Sequence, residues 1–586
     1  MNVLRSLSVV VLLTCLAVSS GISSTSAQQM QPTATRAEQA QLSADPWWKH
    51  AVIYEVYPRS FQDSNGDGIG DINGITSRLD YLKNLGVDAI WITPMYPSPQ
   101  VDFGYDVSNY EAIDPQFGTM ADFDRLENEA KKRNIRIIMD YVPNHTSDQN
   151  PWFLESRSSR TNPKRDWYIW RDGKGPGKTP NDWQSWFGHS AWTFDDKTGQ
   201  WYYHYFYVQQ PDLNWRNPEV RKAMYDVLRF WLDRGVAGFR IDAVSRLFED
   251  PSLRDDPILP GKNAFGDPNI QHKYTQDLPE VHDVLREIRS LVHTYPGDPV
   301  LISESDEPTI QDLVRVYGIN DDEVQLPMDF QVADVNRLSA PEFRKLLDQI
   351  EFNPLEGQPY FFFNNHDQAR TWDRYGDGVH NDQIAKLMAT LLLTTHATPQ
   401  LYYGEELGMR TTTPTRKEDV KDPVGRTGWP KDKGRDGERT PMQWDGSQNA
   451  GFSKASKTWL PVPPSYHEYN VANEAGNPDS ILNFYKRVIA LRRELPALRN
   501  GDYIAVNRDD QNVLAYLRKG AGGEDSVLVA LNMSAETRTV NFKLWGFGVP
   551  GKSAHVRLAA PQQSAADLAL DEIKLEPFGV LIAMVK

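Results

Sequence analysis

Val227-Leu-Arg-Phe-Trp-Leu232 followed by Gly238-Phe-Arg-Ile-Asp242 reads as a helix running into a short strand. Val227, Leu228, Trp231 and Leu232 recur at helical spacing, and the run after Gly238 is short and β-rich. The same unit recurs on either side. Ile75, Leu79, Leu82 and Leu85 mark a helix before a second run, Ala89–Thr93. Further runs of this kind are Val52–Tyr57, Ile135–Tyr141, Val300–Glu304, Val324–Asp329, Tyr360–Asn365 and Gln400–Tyr403. That makes eight, the number that closes a parallel (β/α)8 barrel, so the fold class is α/β, of the TIM-barrel type.

The spacing is uneven. The stretch between the third and fourth runs is far longer than a loop and helix need, and it is rich in Trp, Asn, Pro and Gly (Trp152, Trp167, Trp170, Trp183, Trp186, Trp192, Trp201). It is expected to be an inserted subdomain, 146–210, flanked by barrel segments 47–145 and 211–499. After a helical stretch, Ile481–Leu495, the pattern turns to Tyr503–Val506, Val513–Leu517, Val527–Leu531 and Val540–Lys543. These predict a C-terminal antiparallel β-sandwich over 500–586.

The first 27 residues read as an export signal. Arg5 precedes an apolar run, Leu7–Val18, and Thr25-Ser26-Ala27 offers a cleavage site before Gln28. The run is shorter than the roughly 20 residues of a membrane span, and no later segment is long and apolar enough to cross. Cys15 in Leu12-Leu13-Thr14-Cys15 leaves a lipoprotein signal as a lesser alternative; it is the only cysteine. Removal of the signal would leave a chain without thiols or disulfides. Residues 28–46 read as a flexible leader, and the destination as periplasmic or extracellular. At 586 residues the chain has room for two or three domains. A formal net charge of −16 argues against a nucleic-acid partner, which calls for a basic surface.

Functional side chains of a β/α barrel sit at the C-terminal ends of its strands. The third strand ends in Asp140-Tyr-Val-Pro-Asn144-His145, the fourth in Arg240-Ile-Asp242, the fifth in Ile302-Ser-Glu304 and the seventh in Asn365-His366-Asp367. Three acids at three strand ends suit glycoside hydrolysis, which pairs a carboxylate nucleophile with a protonated carboxyl. Arg240 and Asp242 share one strand face, and a cation there is expected to keep Asp242 ionised.

With these motifs the sequence resembles the α-amylase superfamily of glycoside hydrolases, in its oligo-1,6-glucosidase and α-glucosidase branch. The likeness runs from Trp47 to the C-terminus and includes Gln210-Pro-Asp-Leu-Asn214, Asp102-Phe-Gly-Tyr105-Asp and Arg435-Asp-Gly-Glu-Arg-Thr-Pro-Met-Gln-Trp444. The resemblance implies Asp242 as nucleophile, Glu304 as general acid/base and Asp367 as the third acid; Glu307 is the nearest rival to Glu304. It further implies that an Asp102–Arg370 ion pair closes the far end of a glucose pocket, that Tyr105 stacks on the sugar, and that His145, Arg240 and His366 bond its hydroxyls. A pocket closed in this way means exo action on small oligosaccharides. Ala243 after the nucleophile goes with α-1,4 preference in this branch, where Val goes with α-1,6.

Asp63-Ser-Asn65-Gly-Asp67-Gly-Ile69-Gly-Asp71 begins like an EF-hand loop but has Gly74 at the twelfth position, so the bidentate Glu is absent. The resemblance implies a structural Ca²⁺ (or Mg²⁺) held by Asp63, Asn65, Asp67, Asp71 and the Ile69 carbonyl. Phe103, His189 and Ala369 depart from the residues common in relatives and bear on substrate preference. The competing reading is a glucosyltransferase or isomerase of the sucrose isomerase or trehalose synthase type. Arg370-Thr-Trp-Asp-Arg-Tyr-Gly weakens the isomerase option, because isomerases of this branch carry Arg-Leu-Asp-Arg-Asp after the seventh strand. A non-catalytic transporter subunit of this fold would lack the three acids and carry a membrane helix.

Overall fold

The computed structural model describes residues 45–586 except 352–356, 521–524 and 562–565; the expected export signal, 1–27, and residues 28–44 of the expected leader lie outside the described residues. Eight short strands form the barrel: β1 (Ile53–Val56), β2 (Ala89–Ile92), β3 (Arg136–Tyr141), β4 (Gly238–Ile241), β5 (Val300–Ser303), β6 (Leu326–Pro327), β7 (Tyr360–Phe361) and β8 (Thr398–Tyr402). They lie in the order β6-β5-β4-β3-β2-β1-β8-β7. Neighbours are parallel, and a parallel bridge from Met328 to Tyr360 joins the two ends. The strands are buried on both faces. Ile53, Ala89, Trp91, Ile138, Val300 and Ile302 fill the interior, while Tyr54, Val56, Ile90, Ile92, Ile137 and Met139 pack under the helices. This double burial is why the strands read as near-continuous apolar runs.

β6 and β7 are shorter than their apolar runs. The Asp329 side chain caps a helical turn, Phe330–Ala333, by accepting Val332 N–H, and Asn365 pairs back to Gln368. The backbone leaves the ladder early to display the groups that follow. Helix Pro218–Leu232 shows the outer layer's logic. Asn217 caps it by accepting Glu219 N–H, Pro218 takes the first turn, and Val220, Met224, Val227, Leu228 and Trp231 are buried along one stripe.

Between β3 and β4, strands Trp170–Arg171, Trp192–Asp195 and Gln200–Tyr203 form a three-stranded sheet. It lies over a small core of Ile169, Trp183, Ala191, Trp192, Tyr203 and Tyr205. A hairpin, Ile258–Lys262 with Pro268–Ile270, follows β4; no sequence pattern announced it. The C-terminal segment holds β9 (Asp502–Ala505), β10 (Val513–Lys519), β11 (Val527–Asn532), β12 (Arg538–Val540), β13 (Ser553–Ala560), β14 (Asp567–Ala569), β15 (Ile573–Leu575) and β16 (Val580–Val585). Six form an antiparallel sheet, β9-β10-β11-β16-β13-β14, and β12 pairs with β15. One face of the sheet (Val513, Ala515, Leu517, Leu528) packs with Phe542, Leu544, Ile573 and Leu575. The other face (Leu514, Tyr516, Val529, Leu531) joins the main core. Among the described residues no helix is long and apolar enough to cross a membrane.

Candidate active site

Gly238 starts β4 at φ 151°, where an added Cβ would run into the Val300 carbonyl. Only glycine lets β4 and β5 approach this closely. β4 then carries Arg240 into the barrel beside Asp140 of β3, its partner in register. Arg240 is fully buried. Its Nη1 donates to Asp242 Oδ1 at 2.6 Å and Asp140 Oδ1 at 3.1 Å. Its Nη2 lies 3.0 Å from Glu304 Oε2, a charge contact without hydrogen-bond alignment. Glu304 Oε2 also accepts Ala243 N–H at 3.0 Å, a donor aimed by the left-handed turn at Ala243, φ 46°. Asp242 and Glu304 thus sit on adjacent nitrogens of one guanidinium. Burial raises the proton affinity of Asp242 well above the ordinary carboxylate range; Arg240 opposes this and Glu304 adds to it. Arg240 alone therefore does not hold Asp242 low, contrary to the sequence expectation, because the low-dielectric site and the second acid outweigh it. Burial likewise lifts Asp140 to about 6 against Arg240.

Asp367 Oδ1 accepts from Arg439 Nη2 at 2.6 Å and Arg435 Nη1 at 2.9 Å. Burial works the other way, but His366, Arg435 and Arg439 hold this carboxyl far below its usual range. Arg435 Nη2 reaches Asp102 Oδ1 at 2.8 Å, and its Nε reaches the fully buried Asp422 Oδ2 at 2.9 Å. One arginine therefore ties three acids together. The expected Asp102–Arg370 pair is corrected here. Arg370 turns away, donating to the Tyr403 carbonyl at 2.7 Å and the Glu438 carbonyl at 2.8 Å, under the Tyr402 and Tyr403 rings. It serves main-chain acceptors below the cavity, and Arg435, 333 residues along the chain from Asp102, makes the ion pair.

Tyr105 stacks on the His366 ring, with centroids 5.4 Å apart. Its hydroxyl lies 2.8 Å from His366 Nε2 and 3.0 Å from Asp140 Oδ2. His366 Nδ1 faces Glu55 Oε1 at 2.7 Å. His145 Nε2 lies 3.1 Å from the Tyr105 carbonyl and 3.2 Å from Gln210 Nε2, and burial lowers this imidazole to about 4. Asp102, Tyr105, His145, Asp242, Glu304 and Asp367 line one cavity of about 620 Å³, whose outer part is walled by Trp186, Phe187, Phe265 and Phe330. Arg240 and His366 lie directly behind that lining, and Arg370 below it. Glu307 does not line the cavity; burial lifts it to about 7.

The loop 63–71 offers hard oxygen donors of the kind Ca²⁺ takes. Its side chains are taken up mostly by the loop's own N–H groups, with Asp63 Oδ2 also accepting from Ser453 Oγ at 2.5 Å. Asp63 accepts N–H groups from Asn65, Gly66 and Gly68, Asn65 from Asp67, and Asp67 from Ile69. Asp71 accepts from Ser64 and caps the next helix at Gly74. Among the described residues no three carboxylate or imidazole groups converge as a metal cluster.

This cavity at the C-terminal end of a parallel barrel, with acids from β4, β5 and the loop after β7, can be set against known proteins. Residues 55–501 match the alpha-amylase catalytic domain. The chain belongs to the alpha-amylase family. It is a glycoside hydrolase of that family, similar over 502 residues, at 43% identity, to a probable alpha-glucosidase of Rhizobium meliloti (strain 1021), covering 84% of this chain and 90% of that one. An oligo-1,6-glucosidase of Parageobacillus thermoglucosidasius is 41% identical over 524 residues, covering 84% and 91%. Among solved structures, the isomaltulose synthase of Erwinia rhapontici NX5 superposes with a TM-score of 0.84 at 39% identity, covering 93% of this chain and 100% of that one.

Sequence reasoning passed over Glu55, Phe265 and the pairing made by Arg435. Glu55 had a readable signal, since a carboxylate at an inward position of a strand buried on both faces has no solvent to go to. Arg435 stood inside a recognised stretch, but its partners are distant in sequence. Phe265 sits at the tip of the hairpin after β4, which carried no pattern.

Proposed function

We propose that this family member is a retaining exo-α-glucosidase, releasing α-glucose from the non-reducing end of short α-glucosides with α-1,4 (maltose-type) bonds favoured. One observation carries the reading: the Arg240 guanidinium bridges Asp242 and Glu304 at a cavity whose far end is tied off by Asp102, Arg435 and Asp367. In this reading Asp242 attacks the anomeric carbon while Glu304 passes its proton to the departing glycosidic oxygen. A glucosyl-enzyme forms and the rest of the sugar leaves. Glu304 then takes a proton from water, which displaces Asp242 and restores the α configuration. Arg240 donates directly to Asp242 and only faces Glu304, which supports Asp242 as the charged partner in these steps. Asp367, held ionised, would grip sugar hydroxyls and tighten on the positively charged transition state. Tyr105, His145 and His366 complete the glucose site. The α-1,4 preference rests on Ala243, the residue after Asp242, which goes with α-1,4 bonds in the branch this chain resembles.

The likeness to an isomaltulose synthase gives a second reading, in which the glucosyl group passes to another sugar instead of water. The same proposal includes export to the periplasm or medium, and a structural Ca²⁺ (or Mg²⁺) that would draw in Asp63, Asn65, Asp67, Asp71 and the Ile69 carbonyl. Such an ion would brace a loop and take no part in bond cleavage. The test is incubation with maltose, isomaltose, sucrose and trehalose, with products and anomers followed by proton NMR. Maltose should yield glucose. The glucose released from p-nitrophenyl α-glucoside, which comes only from the cleaved ring, should appear first as the α-anomer, and Asp242→Asn should be inactive. The β-anomer, or undiminished turnover by that variant, overturns the mechanism; isomaltulose or trehalulose from sucrose favours the second reading.

A further inference from the structure

β1 brings a carboxylate into the interior of the barrel, where Glu55 is completely buried and lines no part of the sugar cavity. Its Oε1 lies 2.7 Å from His366 Nδ1 and accepts the His366 main-chain N–H at 3.3 Å, and its Oε2 accepts Gln400 Nε2–H at 2.7 Å. On the other side of the ring, His366 Nε2 is 2.8 Å from the Tyr105 hydroxyl and 3.4 Å from Asp367 Oδ2. That hydroxyl is also 3.0 Å from Asp140 Oδ2.

Tyr105 has one hydrogen to donate and two neighbours at bonding distance. Asp140 is bound as an anion: Arg240 Nη1 faces both its oxygens at 3.1 and 3.4 Å, and Trp91 Nε1 donates to its Oδ2 at 3.2 Å. The hydroxyl hydrogen therefore goes to Asp140. The contact with His366 is then a bond only if Nε2 donates. With the ring's hydrogen on Nε2, a Glu55 carboxylate facing a bare Nδ1 at 2.7 Å would set lone pair against lone pair. Either Nδ1 also carries hydrogen, or the Glu55 carboxyl does. In both cases the pair holds one proton more than a carboxylate beside a neutral imidazole.

We propose that Glu55 and His366 share this additional proton, and that Glu55 is a positioning residue for the reaction, acting through His366 Nε2 on Tyr105 and Asp367. The inference rests on the glucosidase reading of the site. The surroundings put the proton on the carboxyl side of the pair: burial lowers His366 well below the imidazole range, opposed by Asp367 and reinforced by Arg439, Arg240 and Arg435. Burial raises Glu55 well above the carboxylate range, opposed by Arg240 of β4 and reinforced by Asp367 after β7 and Asp140 of β3; Tyr360 of β7 and Tyr402 of β8 also face it. Loss of the proton as pH rises would leave Nε2 bare against the Asp367 carboxylate, and the two cavity-lining groups would lose their common donor.

Glu55→Gln keeps the shape of the side chain, and its amide N–H, which cannot be lost, imitates the protonated carboxyl facing Nδ1. With maltose, kcat/KM near neutral pH should stay close to that of wild type. The alkaline limb of its pH profile should move to higher pH, and Glu55→Gln should add little to the loss made by His366→Gln. A pH profile that superposes on wild type after scaling, or a clear further loss in the double variant, overturns the proposal. Should Glu55→Gln fail to fold, Glu55→Asp withdraws the carboxyl by one methylene while keeping its charge. Reduced kcat/KM with a displaced limb is expected there, and wild-type kinetics would again overturn it. Asp242→Asn run in parallel separates the two ideas. If it stays active, the glucosidase reading fails; if it is dead while the pH profile of Glu55→Gln matches wild type, only the role of Glu55 falls.

Discussion

Replacing Arg435 with alanine takes one guanidinium away from three carboxylates at once: Asp102 at 2.8 Å, Asp367 at 2.9 Å and Asp422 at 2.9 Å. The three losses differ in kind. Asp367 keeps Arg439 at 2.6 Å. Asp422 is fully buried and keeps only the main-chain N–H groups of Arg435 and Val424. Stranding a buried charge costs about 3–5 kcal/mol, and those two donors put the expected loss near the lower end, about 3 kcal/mol. The kinetic loss comes from Asp102 and Asp367. A hydrogen bond to a charged group is worth about 1.5–3 kcal/mol, which in kcat/KM is roughly 10–150-fold. Urea unfolding and maltose kinetics read the two effects separately. Adding Asp422→Asn to Arg435→Ala removes the stranded charge, so it should restore most of the stability and none of the activity. Unchanged stability in Arg435→Ala, or activity regained with Asp422→Asn, would refute the assignment of these roles.

The buried His145 makes the fold acid-sensitive in a way a single substitution exposes. Its folded value of about 4 lies below the ordinary imidazole value near 6.5, so the unfolded chain takes up this proton first as pH falls. Stability present above about pH 6.5 is thus lost toward pH 4, by up to about 3 kcal/mol. His145→Gln has no such proton. The Tm gap between wild type and variant should narrow steadily from pH 7 to pH 4, and a constant gap would contradict the assignment. For the loop 63–71, EDTA should lower Tm and added Ca²⁺ should restore it; an unchanged Tm under both treatments sinks the cation proposal.

Much of the site was legible because its acids stand where local pattern ends. Asp242 and Glu304 each follow a strand immediately and Asp367 closes the segment after β7, so marking the strands marked the acids. The register of β3 and β4 likewise sets Asp140 beside Arg240. Arg370 shows where this stops. An arginine near a recognised motif carries no information about which way its side chain turns, and this one turns to main-chain carbonyls while Arg435 arrives from a separate loop.

By itself the sequence determined the eight-strand barrel, the long insertion after β3 and the strand ends that bear the acids, because apolar periodicity and alternation are local consequences of burial. Only the tertiary structure decided which cation meets which carboxylate, that Phe265 reaches the cavity wall, and that Glu55 lies behind His366. Those are contacts between residues hundreds of positions apart or on patternless loops. Their energies depend on distance and burial in space, and neither is written in the neighbouring residues.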